Sequence, residues 1–126
     1  VWGDIARNTM FQVIDAVVRA ELGSSPLDRE TNPFRFADGS LPARMSAAGF
    51  SNVSERVISW GPEIDANQPF WRPQLDMIFG DQLAHLDAAS RAALDQRVHQ
   101  GFAPYLKGSR YTLVAETRLI VGTRPA

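Results

Sequence analysis

The stretch Ala47-Ala48-Gly49-Phe50-Ser51-Asn52-Val53 contains the clearest change of secondary structure in the chain. The two alanines close a helix that we predict over residues 39–48. Gly49 stands where many helices end in a left-handed residue, and Phe50 follows where its ring can fold back onto the last turn. A strand over Val53–Trp60 comes directly afterwards, and the Gly-Pro pair at 61–62 ends it.

Hydrophobic periodicity places the other elements around this junction. A helix capped by Asn8 or Thr9 runs to about Leu22, and Gly23 ends it. A long excursion over residues 63–110 follows the first strand and contains two helices, at about 70–79 and 87–102. The final strand, Tyr111–Val121, alternates apolar residues on one face. We therefore predict an α/β fold in a single domain, residues 1–126, with residues 61–110 as a helical insertion and lid between the two strands.

Composition excludes several classes of protein. The chain has 126 residues, of which 44% are hydrophobic, and a formal net charge of −1, so the electrostatic basis for a nucleic-acid partner is absent. The lack of cysteine excludes disulfide scaffolds, thiolate metal sites and thiol catalysis. No stretch approaches the ~20 apolar residues that a membrane span requires. We expect a soluble, cytoplasmic protein.

Motifs that carry known chemistry are missing from this sequence. It contains no glycine-rich phosphate loop, no Gly-x-Ser-x-Gly elbow and no His-Glu-x-x-His pair. His85 and His99 are the only histidines, and either could act as a general base, although each also reads as a surface residue of a helix. Two separated histidines and scattered carboxylates do not support a metal site.

Aromatic residues concentrate at the ends of the predicted elements and in the excursion. Such residues either fill a core or line an apolar pocket for a flat or lipidic molecule, and both interpretations remain open here. Phe70 and Trp71 precede a helix of the excursion, where they could act as a lid.

The first residues of the chain read as the end of a buried strand. Val1 and Trp2 are apolar, as in the last residues of such a strand. Because two strands make a poor sheet by themselves, we expect this chain to be the back half of a larger fold. Trimming of the sample is the simpler alternative.

The order of these segments resembles the C-terminal half of a class I S-adenosylmethionine-dependent methyltransferase, of the small-molecule type related to ubiquinone and menaquinone biosynthesis methyltransferases. The resemblance spans essentially the whole chain. It is carried by five blocks: Val1-Trp2-Gly3 with Asn8, Phe34-Arg35-Phe36-Ala37-Asp38, the Ala47–Val53 junction, Ala103-Pro104-Tyr105, and Tyr111–Val121 with Arg124-Pro125.

The resemblance implies a partial Rossmann-like sheet. In it, Val1-Trp2 is the end of strand five, and Tyr111–Val121 lies antiparallel between strands five and six. The cofactor would be S-adenosylmethionine, but the family's glycine-rich loop and acidic residue belong to a front half, so this chain alone should be inactive. It would bind an apolar small-molecule acceptor over the carboxyl ends of the strands. The expected site residues are Trp2, Asn8, Phe11, Phe34, Phe36, Phe70 and Trp71 for the acceptor, with His85 as the candidate base.

Two other functions remain open at this stage. One is a non-catalytic binding or scaffolding subunit derived from the methyltransferase fold, and the other is a free-standing small α+β ligand-binding or cyclase-like domain. The final strand is unpaired on one side and carries apolar residues, which is an aggregation hazard unless another chain covers them. We therefore expect a second chain or a swapped dimer to complete the sheet.

Overall fold

Four α-helices and five β-strands make up the computed structural model, which describes residues 1–126. The predicted α/β class is confirmed in the form of helices with two small antiparallel sheets. The helices are α1 (Thr9–Leu22), α2 (Leu41–Ala47), α3 (Arg72–Leu83) and α4 (Ala88–Gly101). The strands are β1 (Ser51–Trp60), β2 (Glu63–Asp65), β3 (Leu106–Lys107), β4 (Arg110–Thr112) and β5 (Ala115–Thr123).

The junction between α2 and β1 has the predicted geometry. Gly49 adopts a left-handed φ of 92°. Its N–H donates to the Ser46 carbonyl at 3.0 Å, and the Phe50 N–H donates to the Met45 carbonyl at 3.1 Å, which is the paired bonding of a glycine-ended helix. Helix α2 begins at Leu41 rather than at Gly39, because Gly39 has a φ of 78° and cannot continue a right-handed helix.

The other helices lie close to their predicted positions. Helix α1 ends at Gly23, whose φ is 77°. Helix α4 begins after Asp87, whose carboxylate accepts a hydrogen bond from the Ser90 N–H at 2.7 Å. Helix α3 starts two residues later than predicted, with Pro73 in its first turn, and continues to Leu83.

The predicted single strand over residues 111–121 is wrong, because the structure divides it into β4 and β5. The break falls at Leu113 and Val114, whose backbone N–H groups bond outside both sheets. The Leu113 N–H donates to the Pro62 carbonyl at 2.9 Å, and the Val114 N–H donates to the Thr9 hydroxyl at 3.0 Å. Leu113 is fully buried, so the chain bends inward here and changes its strand partner.

The strands before and after this break belong to different sheets. Strand β5 pairs antiparallel with β1, and Val57 stands opposite Arg118 in the register. Strand β4 lies between β2 and β3 in a three-stranded sheet. Strands β2 and β3 contain only three and two residues, and the sequence pattern did not predict them.

Residues 1–3 run along the other edge of β5. Trp2 forms an antiparallel bridge with Thr117. The Arg118 N–H donates to the Val1 carbonyl at 2.8 Å, and the Gly3 N–H donates to the Glu116 carbonyl at 2.9 Å. Strand β5 is therefore the middle one of three extended segments and is antiparallel to both of its neighbours.

The hydrophobic core lies among the helices rather than on the β1–β5 sheet. Helix α4 of the insertion packs against α1, and residues of α3 and β4 belong to the same buried cluster, so the insertion is part of the core. None of the four helices combines the length and the apolarity that crossing a bilayer requires. The core residues are Val13, Ile14, Val18, Trp71, Leu75, Phe79, Leu83, Leu94, Val98, Phe102, Tyr111 and Leu113.

Candidate functional site

An apolar cavity lies at the edge of the sheet where residues 1–3 and β1 both end and β5 begins. Its volume is about 190 Å³, somewhat more than the ~150 Å³ of an engineered cavity that holds benzene. The site is therefore large enough for one aromatic ring. The lining residues are Trp2, Asn8, Met10, Phe11, Trp60, Pro62, Gln74, Leu113, Val114 and Ala115.

Two of the predicted aromatic residues, Trp2 and Phe11, line this site, whereas the predicted Phe34 packs behind them and does not line it. The rings of Trp2 and Phe11 meet edge to face, with their centroids 4.8 Å apart. Phe34 lies behind them, 5.4 Å from Phe11 and 6.2 Å from Trp2, and is itself buried. Aromatic pairs in such arrangements stabilise each other beyond the area they bury, so Phe34 supports the wall that Trp2 and Phe11 form.

Asn8 lies at the base of the cavity and is 2% exposed. Its side-chain nitrogen donates to the carbonyls of Asp4 and Glu116 at 2.9 and 3.2 Å, and its side-chain oxygen accepts from the Glu116 N–H at 3.1 Å. Both amide hydrogens are therefore in use within the protein. The side chain fixes the first turn of α1 to β5 and offers a ligand at most one remaining acceptor position.

A second hollow, of about 310 Å³, adjoins the cavity. The two share Trp60, Val114 and Ala115. Its other lining residues are Arg7, Ser59, Gly61 and Glu116, and Arg7 is the one cationic side chain that lines either space.

Phe70 and Trp71 lie in the helical core and do not line the cavity. Phe70 contacts the rings of Phe102 and Tyr111, with centroids 4.8 and 5.4 Å away. Trp71 is 4% exposed, and its Nε1 donates to an Asp95 carboxylate oxygen at 2.9 Å. These contacts are those of core residues, so the structure gives the pair no lid geometry.

Phe36 and the two histidines also lie outside the cavity. The guanidinium carbons of Arg35 and Arg44 lie 4.8 and 5.6 Å from the Phe36 ring centroid. His85 is exposed in the turn after α3, and its side chain forms no hydrogen bond. The His99 ring stacks on Trp71, and its Nε2 lies 3.2 Å from the Tyr111 hydroxyl.

The cavity itself carries no titratable group, so burial and shape dominate binding there. The charged pairs with shifted pKa values lie elsewhere. Hydrogen bonds from Arg72 are the main cause of the lowered pKa of Asp95, and the hydrogen bond with Glu55 at 2.6 Å is the main cause of the raised pKa of Arg118. No three metal-ligating side chains are grouped in a way that could hold an ion.

Several lining residues were not among the predicted site residues. Trp60 had a visible signal, because it is an aromatic residue at the end of a strand. Gln74 had none, because it is a polar residue of α3 that reaches the cavity only through the tertiary fold. Met10 precedes Phe11 on α1, and residues 113–115 reach the site through the bend between β4 and β5.

No protein-family model, curated protein or solved structure matches this chain. The functional proposal therefore rests on the sequence pattern and on the geometry of the cavity.

Proposed function

We propose that this chain is the acceptor-binding portion of a class I S-adenosylmethionine-dependent methyltransferase that acts on apolar small molecules. The main support is the order of three extended segments: residues 1–3, then β5, then β1, with β5 antiparallel to both. This is the order that the sequence resemblance implies for strands five, seven and six of a Rossmann-like sheet. The helical segment between β1 and β5 then corresponds to the predicted insertion.

The position of the cavity agrees with this proposal. In open α/β sheets, ligands bind outside the carboxyl ends of the parallel strands. Residues 1–3 and β1 are parallel to each other, and Trp2 and Trp60 at their carboxyl ends both line the cavity. An apolar acceptor bound there would be shielded from water by Phe11 and Leu113.

The cavity does not fit the methyl donor. A nucleoside needs a carboxylate for its ribose hydroxyls and a glycine-rich turn for close approach of the backbone, and the lining residues supply neither. We therefore assign the cavity to the acceptor and place the donor on the family's front half. The side chains here would position the acceptor, which is the part of methyl transfer that depends on alignment.

Donor binding tests the proposal directly. Isothermal titration calorimetry with S-adenosylmethionine should give binding for the complete product of the encoding reading frame and no binding for the 126-residue chain. Tight binding by the 126-residue chain with no other protein present would contradict the proposal. Absence of binding by the complete product would also contradict it.

A non-catalytic binding subunit derived from the same fold is the second candidate. It is favoured by the apolar face of the β1–β5 sheet, where Ile58, Trp60, Leu119 and Val121 are 39 to 55% exposed. A second chain, or a swapped dimer, would cover such a face. This candidate predicts a stable partner and no donor binding by the complete product, so the same calorimetry separates the two.

A further inference from the structure

We infer that Arg7 selects apolar acceptors that carry an anionic group, such as a carboxylate, over neutral acceptors of the same shape. This inference rests on the proposed function, because it names the acceptor class of the same cavity. It places the apolar body of the ligand in the cavity, with Trp2 and Trp60, and the anionic group in the adjoining hollow, near Arg7.

The first observation is that Arg7 has no partner within the protein. Several other arginines form an ion pair with an Asp or a Glu, as Arg118 does with Glu55. Arg7 is exposed, and its side chain takes part in no ion pair and no hydrogen bond. A guanidinium has five N–H donors in a planar fork that matches a carboxylate, and all five are available here.

The second observation is the position of Arg7 relative to the apolar cavity. It lines the hollow that adjoins the cavity across Trp60, Val114 and Ala115. If the ring of a ligand lies in the cavity, a short tail attached to that ring extends into the hollow toward Arg7. The cavity has no charged lining residue, so Arg7 supplies the only positive charge along that path.

The backbone of Arg7 is held in place by the turn that carries it. Arg7 ends the 3-10 turn Ile5–Arg7, and its N–H donates to the Asp4 carbonyl at 2.9 Å. The Asp4 carboxylate caps the turn at the Ala6 N–H, also at 2.9 Å. Asn8 then fastens the end of the turn to β5. The backbone of Arg7 is therefore ordered beside the hollow, and a ligand has only the side chain of Arg7 to immobilise.

Glu116 is the other charged residue that lines the hollow, and its carboxylate bonds elsewhere. No ion pair joins the two side chains. The Glu116 carboxylate lies against Gly3, and its Oε1 is 3.4 Å from the Asp4 N–H. It also makes a minor contribution to the raised pKa of Arg118, whose main partner is Glu55.

The test compares cinnamate with cinnamyl alcohol, which share one aromatic ring and a three-carbon tail and differ in charge. Binding of each to the native chain, to Arg7→Gln and to Arg7→Lys is measured by calorimetry. Arg56→Gln is the matched control, because Arg56 is also exposed, has no ion pair and does not line the cavity. Circular dichroism verifies that each variant is folded.

We expect the native chain and Arg56→Gln to prefer cinnamate by about fivefold, the size of one exposed charge pair. Arg7→Gln should lose this preference while its affinity for the alcohol stays unchanged, Arg7→Lys should keep part of it, and added salt should weaken it. An unchanged preference in Arg7→Gln, equal native affinities, or binding of neither probe at millimolar concentration would overturn the inference. None of these results depends on donor binding, so the proposed function can fail or succeed separately.

Discussion

The side-chain amide of Asn8 pairs with both backbone groups of Glu116, at 3.1 Å to the N–H and 3.2 Å to the carbonyl oxygen. The side chain thus imitates one more residue of the strand formed by residues 1–3. Thr9 continues the pairing, because it bonds to both the N–H and the carbonyl of Val114. This contact joins the start of α1 to the start of β5 and forms the base of the apolar cavity.

Asn8→Asp should therefore be strongly destabilising. The change replaces a donor that serves two carbonyls with a carboxylate oxygen that faces them in a buried site. We expect a loss of about 2–4 kcal/mol in the free energy of unfolding, measured by urea denaturation at neutral pH. Asn67→Asp is the control, because Asn67 is exposed and its side chain forms no hydrogen bond. A loss in Asn8→Asp no larger than in this control would refute the structural role of Asn8.

Two glycines in helices make a matched pair for the packing of the core. A Cβ on Gly101 of α4 would lie 2.8 Å from Val13 Cγ1 of α1, whereas a Cβ on Gly80 of α3 would meet nothing within 4 Å. Gly80→Ala should stabilise by about 0.5–1 kcal/mol through helix propensity, while Gly101→Ala should destabilise by about 1–3 kcal/mol through overpacking. Thermal unfolding measures both, and stabilisation by Gly101→Ala would show that α1 and α4 do not pack as closely as described.

The carboxylate of Asp95 should make the stability of the helical core depend on pH. It accepts hydrogen bonds from Trp71 and Arg72, and the pKa of Asp95 is lowered mainly by Arg72. A carboxyl group with a lowered pKa in the folded state stabilises that state above its unfolded pKa. The contribution is lost as the pH falls from the unfolded pKa through the folded one.

Asp95→Asn should accordingly lower the free energy of unfolding by about 1–2 kcal/mol at neutral pH. This is less than a fully buried ion pair would lose, because Arg72 is largely exposed. The difference from the native chain should shrink as the pH falls below about 4, where the unfolded carboxyl group begins to bind a proton. Urea denaturation across this pH range measures the difference. Asp81→Asn is the control, because Asp81 is exposed and its side chain forms no ion pair. A difference that is independent of pH would contradict the assignment.

The apolar face of the β1–β5 sheet should cause association of the chain. Leu119 and Val121 lie on the same face and are 51 and 55% exposed. Light scattering should give a dimer or a larger species for the native chain, and Leu119→Thr combined with Val121→Thr should shift it toward the monomer. Met77→Thr changes an apolar residue that is 66% exposed on α3 and should have no such effect. A native chain that is a monodisperse monomer would count against a partner on this face.

Local signals made part of this fold predictable. Gly49 with Phe50, and Asp87 before α4, define helix ends through backbone geometry and capping, and both depend only on neighbouring residues. The break at Leu113 was not predictable, because it depends on a hydrogen bond to Pro62 and on burial under the helices. The alternation of apolar residues continues across the break, so the pattern alone predicts one strand.

The prediction of site residues came from the resemblance, which placed them over the carboxyl ends of the strands. Trp2, Asn8 and Phe11 line the cavity, and their role in acceptor binding stays a prediction. Phe70 and Trp71 were predicted in the same way, but the packing of α3 against α4 takes them into the core. Which aromatic residues fill a core and which line a cavity depends on tertiary packing, and periodicity does not distinguish the two.

Methyl transfer from labelled S-adenosylmethionine to apolar acceptors with a hydroxyl or carboxylate group tests the central claim most directly. The complete product of the reading frame should form labelled product. Trp60→Ala in the cavity should lower kcat/KM by about tenfold, and Leu106→Ala, an exposed residue of β3, should leave it unchanged. Equal activity of Trp60→Ala and the native protein, or no transfer to any such acceptor, would contradict the account.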